Sequence, residues 1–168
     1  MRLLMLAALV GLATVTSAAA DPAANKQLYC DYIENVFNKR QPSVADRYVV
    51  VDFVEHNPNL PQGLAGKKQF VASVLAGFSD YHGDIQDIVA EGDKLVARVL
   101  WTGTQDGPFL GLPPSGNKLR FSTADFFRVD QGKLAEHWDV VDSLPRAVAL
   151  GLVPPPKAPN LSPPAKEP

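Results

Sequence analysis

His137 and Asp139 stand two residues apart in a segment that otherwise reads as a strand, Lys133 to Val141. Side chains at i and i+2 share one face of a strand, so imidazole and carboxylate point the same way. That pair can move protons if its face lines a cavity. On a solvent-facing strand the same two residues are only a hydrated polar edge. A second carboxylate lies on the preceding strand, Asn117 to Val129, at Asp125.

Between these strands, Asp130-Gln131-Gly132 reads as a three-residue loop ending in the glycine that a type I turn with a G1 bulge requires. That turn pairs Val129 with Lys133, sets Asp125 opposite His137 and Thr123 opposite Asp139. Asp125, His137, Asp139, Thr123 and Phe127 then share one face. A two-residue loop would place Asp125 across from Trp138 and scatter the group, because a slip of one residue exchanges the faces. Two carboxylates and an imidazole among apolar neighbours favour a functional face over a solvated one.

A proton beside a carbonyl is weakly acidic. Removing it needs a carboxylate in an apolar pocket and hydrogen-bond donors where charge collects on oxygen. Asp139 suits the first role. His137, His56 and Asn57 suit the second, and Asp125 either orients His137 or, if protonated, donates directly. Phe53, Trp101, Phe127 and Leu112 are candidates for the apolar wall. Two other readings stay open: a divalent metal held by His56, His137 and Asp139 or Asp125, and a non-catalytic module that binds a small molecule.

The elements that must position these residues change character once along the chain. Leu28, Tyr29, Tyr32, Ile33, Val36 and Phe37 repeat at helical spacing, which predicts a helix from Ala23 to Lys39. Ser43 reads as the N-cap of a short helix ending near Tyr48, followed by an extended piece to Glu55. Asn57 to Gly63 is a loop, and Phe70, Val71, Val74, Leu75 and Phe78 mark a helix over Ala65 to Phe78. Strands follow over His82 to Glu91, Lys94 to Thr104, Asn117 to Val129 and Lys133 to Val141. Helices followed by a mostly antiparallel meander give an α+β domain. A strongly twisted sheet wrapped around the N-terminal helices makes a cone whose mouth is a natural ligand site. His82 reads as solvated.

The ends bound compartment and partners. A basic start, an apolar run from Leu3 to Val15 and Ala18-Ala19-Ala20 ahead of Asp21 read as a signal peptide over 1–20. The run falls short of the roughly 20 residues that span a bilayer, so the mature chain is secreted or periplasmic, without stable membrane insertion. Residues 21–152 then form the domain and 153–168 a tail, in which seven of the fifteen residues from Pro154 on are proline. That composition predicts an extended, mobile segment. Sixteen basic against 18 acidic residues give a net charge of −2, and no basic patch points to nucleic acid. Cys30 is the single cysteine, which excludes an internal disulfide and a thiolate cluster and reads as a partly buried thiol in the first helix.

Gly111-Leu112-Pro113-Pro114, Asp125-Phe126-Phe127-Arg128, Gly132-Lys133-Leu134, Glu136-His137-Trp138-Asp139 and Glu55-His56-Asn57-Pro58 together resemble the SnoaL-like polyketide cyclases, within the ketosteroid isomerase and nuclear transport factor-like superfamily. The resemblance runs from about Gln27 to Gly151. It implies an α+β cone, a homodimer, and a cofactor-independent aldol cyclisation or isomerisation of a small apolar carbonyl or ester compound. By position it makes Asp139 the base, His137 a site histidine and Asn57 a neighbour of the substrate. The reading of the residues themselves adds Asp125 as a catalytic carboxylate and His56, Thr123, Phe127 and Trp101 around the substrate. At Asp125 the chain departs from the cyclases, which carry a histidine there.

Overall fold

A computed structural model of the chain describes residues 21–157. The signal peptide read over 1–20, and the proline-rich tail from residue 158 on, lie outside them.

Helix α1 (Pro22–Tyr32) starts where expected. Asp21 caps it, its carboxylate accepting the Ala23 amide at 2.9 Å, and Pro22 occupies the first turn, where its missing N–H costs nothing. The single helix predicted to Lys39 instead widens into a π-helical turn over Ile33–Asn38, with the Lys39 amide reaching back to the Glu34 carbonyl. The wider turn keeps Ile33, Val36 and Phe37 all buried. Ser43 is not an N-cap. It lies inside a 3₁₀ turn over Pro42–Arg47 that Pro42 begins.

Strand β1 (Val49–Glu55) follows, then α2 (Gly63–Gly77) and a meander of β2 (His82–Glu91), β3 (Lys94–Thr104), β4 (Lys118–Asp130) and β5 (Lys133–Val141). A final helix, α3 (Ser143–Ala149), was not legible as a periodic stripe. The five strands form one sheet in the order β1-β5-β4-β3-β2, antiparallel except for β1, which runs parallel to β5. α1 and α2 cover its concave face, giving the α+β architecture with a single core of Tyr29, Val36, Phe53, Val71, Val99 and Leu134 at its centre. His82 is exposed and Cys30 partly buried.

The β4–β5 hairpin corrects the expected register. Its loop has two residues, with Asp130 paired to Lys133 and Val129 to Leu134. Gln131 and Gly132 adopt φ of 48° and 73°, the two left-handed positions of a type I′ turn, whose twist matches that of the strands. Continued unbroken, that register would turn His137 and Asp139 outward. One extra residue on β5, Ala135, intervenes between the pairs Val129–Leu134 and Arg128–Glu136. Leu134 and Ala135 are consequently buried in succession, and the alternation restarts with Glu136 out and His137 in. Asp125 thus lies opposite Asp139 rather than His137, and Thr123 opposite Val141 rather than Asp139. Turn and bulge together shift the register by two, so the predicted inward face survives although its cross-strand partners change.

Candidate active site

Tyr29, Tyr32 and Phe37 from the helical layer, with Trp101, Phe121 and Phe127 from β3 and β4, enclose a cavity of about 90 Å³ at the open end of the cone. Thr123, Asp125, His137 and Asp139 project into it from β4 and β5. The indole N–H of Trp101 donates to Thr123 Oγ1 at 2.9 Å, and the Trp101 ring stacks on Tyr81 with centroids 5.2 Å apart. Gly83 makes room for that indole, since a Cβ there would lie 2.6 Å from the Trp101 ring. Phe127 stacks on His137 at 4.5 Å. Phe53 and Leu112, considered as wall residues, do not line the cavity. Phe53 is buried in the core beneath the Lys67 ammonium, and Leu112 packs on the core's edge.

His137 is held from behind. Glu55, the last residue of β1, pairs in register with His137 and receives its Nδ1 at 2.8 and 3.0 Å through the two carboxylate oxygens. Lys67 of α2 donates to the same carboxylate at 2.8 Å, and the Asn57 amide adds a further bond at 3.1 Å. Glu55, Lys67 and His137 are all buried. Burial alone would raise the Glu55 carboxyl, but the hydrogen bond from His137 and the charge of Lys67 overcome it and hold the pKa at about 2. Burial alone would lower His137. The nearby Asp125 carboxylate and the hydrogen bond to Glu55 outweigh it and raise the imidazole above its ordinary value. With Nδ1 committed to Glu55, His137 presents Nε2 to the cavity, 3.8 Å from Asp125 Oδ1.

Asp125 accepts the Tyr29 hydroxyl at 2.8 Å. Burial, and then the charge of Asp125, push the phenols of Tyr29, Tyr32 and Tyr81 well above the ordinary tyrosine range, so all three are neutral donors. Asp139 is half-buried at the cavity mouth, and the Asn57 side-chain amide donates to its two oxygens at 2.8 and 3.0 Å. Asn57 is fixed in the loop after β1, its Oδ1 accepting the Asn59 amide at 2.9 Å, and Gln62 closes that loop onto the end of β1 by accepting the Glu55 amide at 3.0 Å.

Of the residues singled out from sequence, Asp125, His137, Asp139, Thr123, Phe127, Trp101 and Asn57 converge here. His56 does not. β1 alternates, so Glu55 points inward after Phe53 and His56 outward, where it stacks on Trp138 at 4.2 Å and pairs with Glu136 at 3.0 Å. The two-histidine, one-carboxylate metal set therefore does not assemble. A different donor group does: Asp125, His137 and Asp139 offer ligand atoms within 4.8 Å of one another. Each of its members is already engaged by Tyr29, Glu55 or Asn57.

Glu55, Lys67 and the three tyrosines were missed as site residues. The period-two step from Phe53 to Glu55 was a usable signal for the first. Nothing in the helical stripes distinguished Lys67 or the tyrosine hydroxyls from surface and core.

Solved structures share this arrangement of elements. TsrD from Streptomyces laurentii is 31% identical with a TM-score of 0.73, over 79% of this chain and 98% of that one. AclR from Streptomyces galilaeus, described as a candidate hydroxylase, is 26% identical with a TM-score of 0.74, over 82% and 87% of the two chains. A candidate polyketide cyclase from Acidithiobacillus ferrooxidans is 27% identical with a TM-score of 0.69, over 77% and 95%. No curated protein matches the chain. The family model described as SnoaL-like polyketide cyclase matches residues 27–150, a span holding every residue that lines the central cavity, and the chain belongs to that family.

Proposed function

We propose that this protein is a cofactor-independent general-base enzyme that removes a proton next to a carbonyl group, the step that opens an aldol cyclisation or an isomerisation. One observation carries the reading. A carboxylate, Asp139, oriented by Asn57, stands at the mouth of an aromatic cavity beside an imidazole that Glu55 holds with its Nε2 facing inward.

Asp139 takes the α-proton, and the C–H electron pair moves into the carbonyl to form an enolate. In its protonated form, which the contacts with Glu55 and Asp125 favour, His137 donates from Nε2 to the enolate oxygen. Tyr32 and Tyr81 are neutral phenols in or beside the same cavity and add donors. The enolate carbon then attacks a second carbonyl of the same molecule, whose π pair becomes an alkoxide that takes the proton held by Asp139, or recovers that proton from Asp139 at another position. Aromatic walls exclude water from the intermediate. The enclosed volume, about 90 Å³, is below the roughly 300–1,000 Å³ typical of drug-sized ligands. It suits a small substrate whose remainder extends into the clefts at the mouth. Export and a homodimer, expected from the leader and the family resemblance, belong to the same proposal.

Asp139→Asn tests it, because the substitution preserves size and removes the basic lone pair. Incubated with 1,3-dicarbonyl or keto-ester compounds in deuterated water, the variant should lose about 10² to 10⁴ of the α-proton exchange followed by NMR. Ligand affinity should stay within a few-fold. Equal exchange by variant and parent removes Asp139 from this role, and no exchange above background across the panel favours a binding module.

A further inference from the structure

Arg146 is the cation at the mouth that the chemistry above leaves unused. It belongs to α3, which follows β5 directly and brings the side chain back over the open end of the sheet. Its guanidinium sits 5.7 Å from the centroid of the Phe121 ring, a wall of the cavity. Arg146 lines the central cavity and also both clefts that flank it. One, of about 310 Å³, lies between His56, Asn57 and Trp138. The other, of about 140 Å³, lies between Phe70, Phe109 and Leu110.

The charge balance around the cavity makes the residue informative. Lys67, the other cation in the wall, is consumed by Glu55 at 2.8 Å. Asp125 and Asp139 have their own internal donors in Tyr29 and Asn57. Arg146 has no carboxylate within ion-pair distance among the described residues. Its charge nonetheless reaches the cavity, since it opposes the upward push on the buried Tyr81 phenol. A guanidinium is planar, always charged and shaped to take a carboxylate through two parallel hydrogen bonds. Arg146 and Asp139 line the same outer cleft, so one small molecule can meet both.

We propose that Arg146 is a carboxylate-binding subsite, and that the substrate is a carbonyl compound carrying a carboxylate, its apolar carbonyl end in the cavity and its acid group at the rim. This rests on the general-base reading for the role of the carbonyl end, while the subsite is read from binding alone.

The test compares 4-acetyl-5-oxohexanoate, a 1,3-diketone with a carboxylate tail, with its ethyl ester, measuring Kd by NMR titration at low salt. The parent protein should bind the acid at least about tenfold more tightly than the ester, as expected of one charge-assisted contact. Arg146→Gln should bring that ratio close to one, and Arg146→Lys, which keeps the charge but not the fork, should fall between. Equal affinity of the parent for acid and ester, binding of neither, or a ratio unchanged in Arg146→Gln overturns the subsite. If Arg146→Gln unfolds, the parent ratio and Arg146→Lys decide it. Exchange rates in Asp139→Asn are read separately, so loss of the general-base reading leaves the affinity ratio standing, and the converse holds.

Discussion

Glu55 grips His137 through both carboxylate oxygens, at 2.8 and 3.0 Å from Nδ1, across the only parallel strand pair in the sheet. An imidazole whose one nitrogen is fixed by a buried anion keeps a single orientation and presents the other nitrogen to the ligand. The same contact ties the state of the site to the stability of the fold.

Stability should therefore decline on both sides of a window. Glu55 has a folded pKa of about 2, under its unfolded value of about 4.3, so its contribution is complete above pH 4.3 and is lost as pH falls toward 2. His137 is raised, so its contribution is complete below about pH 6.5, the unfolded value, and is lost as pH rises through the folded one. Tm measured from pH 3 to 9 should be highest between about pH 4.5 and 6.5. In His137→Gln the decline on the alkaline side should flatten, and an unchanged alkaline slope would sink the assignment.

Lys67→Met should destabilise the fold by about 3 kcal/mol, at the low end for a broken buried pair because His137 remains to neutralise Glu55. The charge of Lys67 also opposes protonation of His137, so its removal should raise the imidazole pKa further. Denaturant titration reads the first effect and the His137 ring protons in NMR the second. A downward move of the histidine would contradict this geometry.

Gln131→Asn should stabilise the protein by about 0.5–1 kcal/mol, since position 131 sits at φ 48°, where asparagine is far better tolerated. Chemical shifts of His137 should stay the same, because register is fixed beyond the turn by the Ala135 bulge. Loss of stability would argue for a different turn.

Period two was enough to put His137 and Asp139 on one face of β5, and helical stripes were enough to place α1 and α2, because both signals are local and repeat over many residues. Asp125 joins them not through the expected three-residue turn, which does not form, but only because the Ala135 bulge restores the inward face. Pairing was different. A two-residue turn followed by a bulge and a three-residue turn give the same inward face, so the residues between Val129 and Glu136 could not by themselves fix who stands opposite whom. Only the folded sheet decided that, along with the arrival of β1 beside β5. That arrival brings Glu55 to His137 across 82 residues of chain and leaves His56, the more conspicuous side chain, on the outer surface. Lys67 and Arg146 took their meaning the same way, since a cation's role depends on which anion the packing brings within reach, and spacing along a helix carries no record of that.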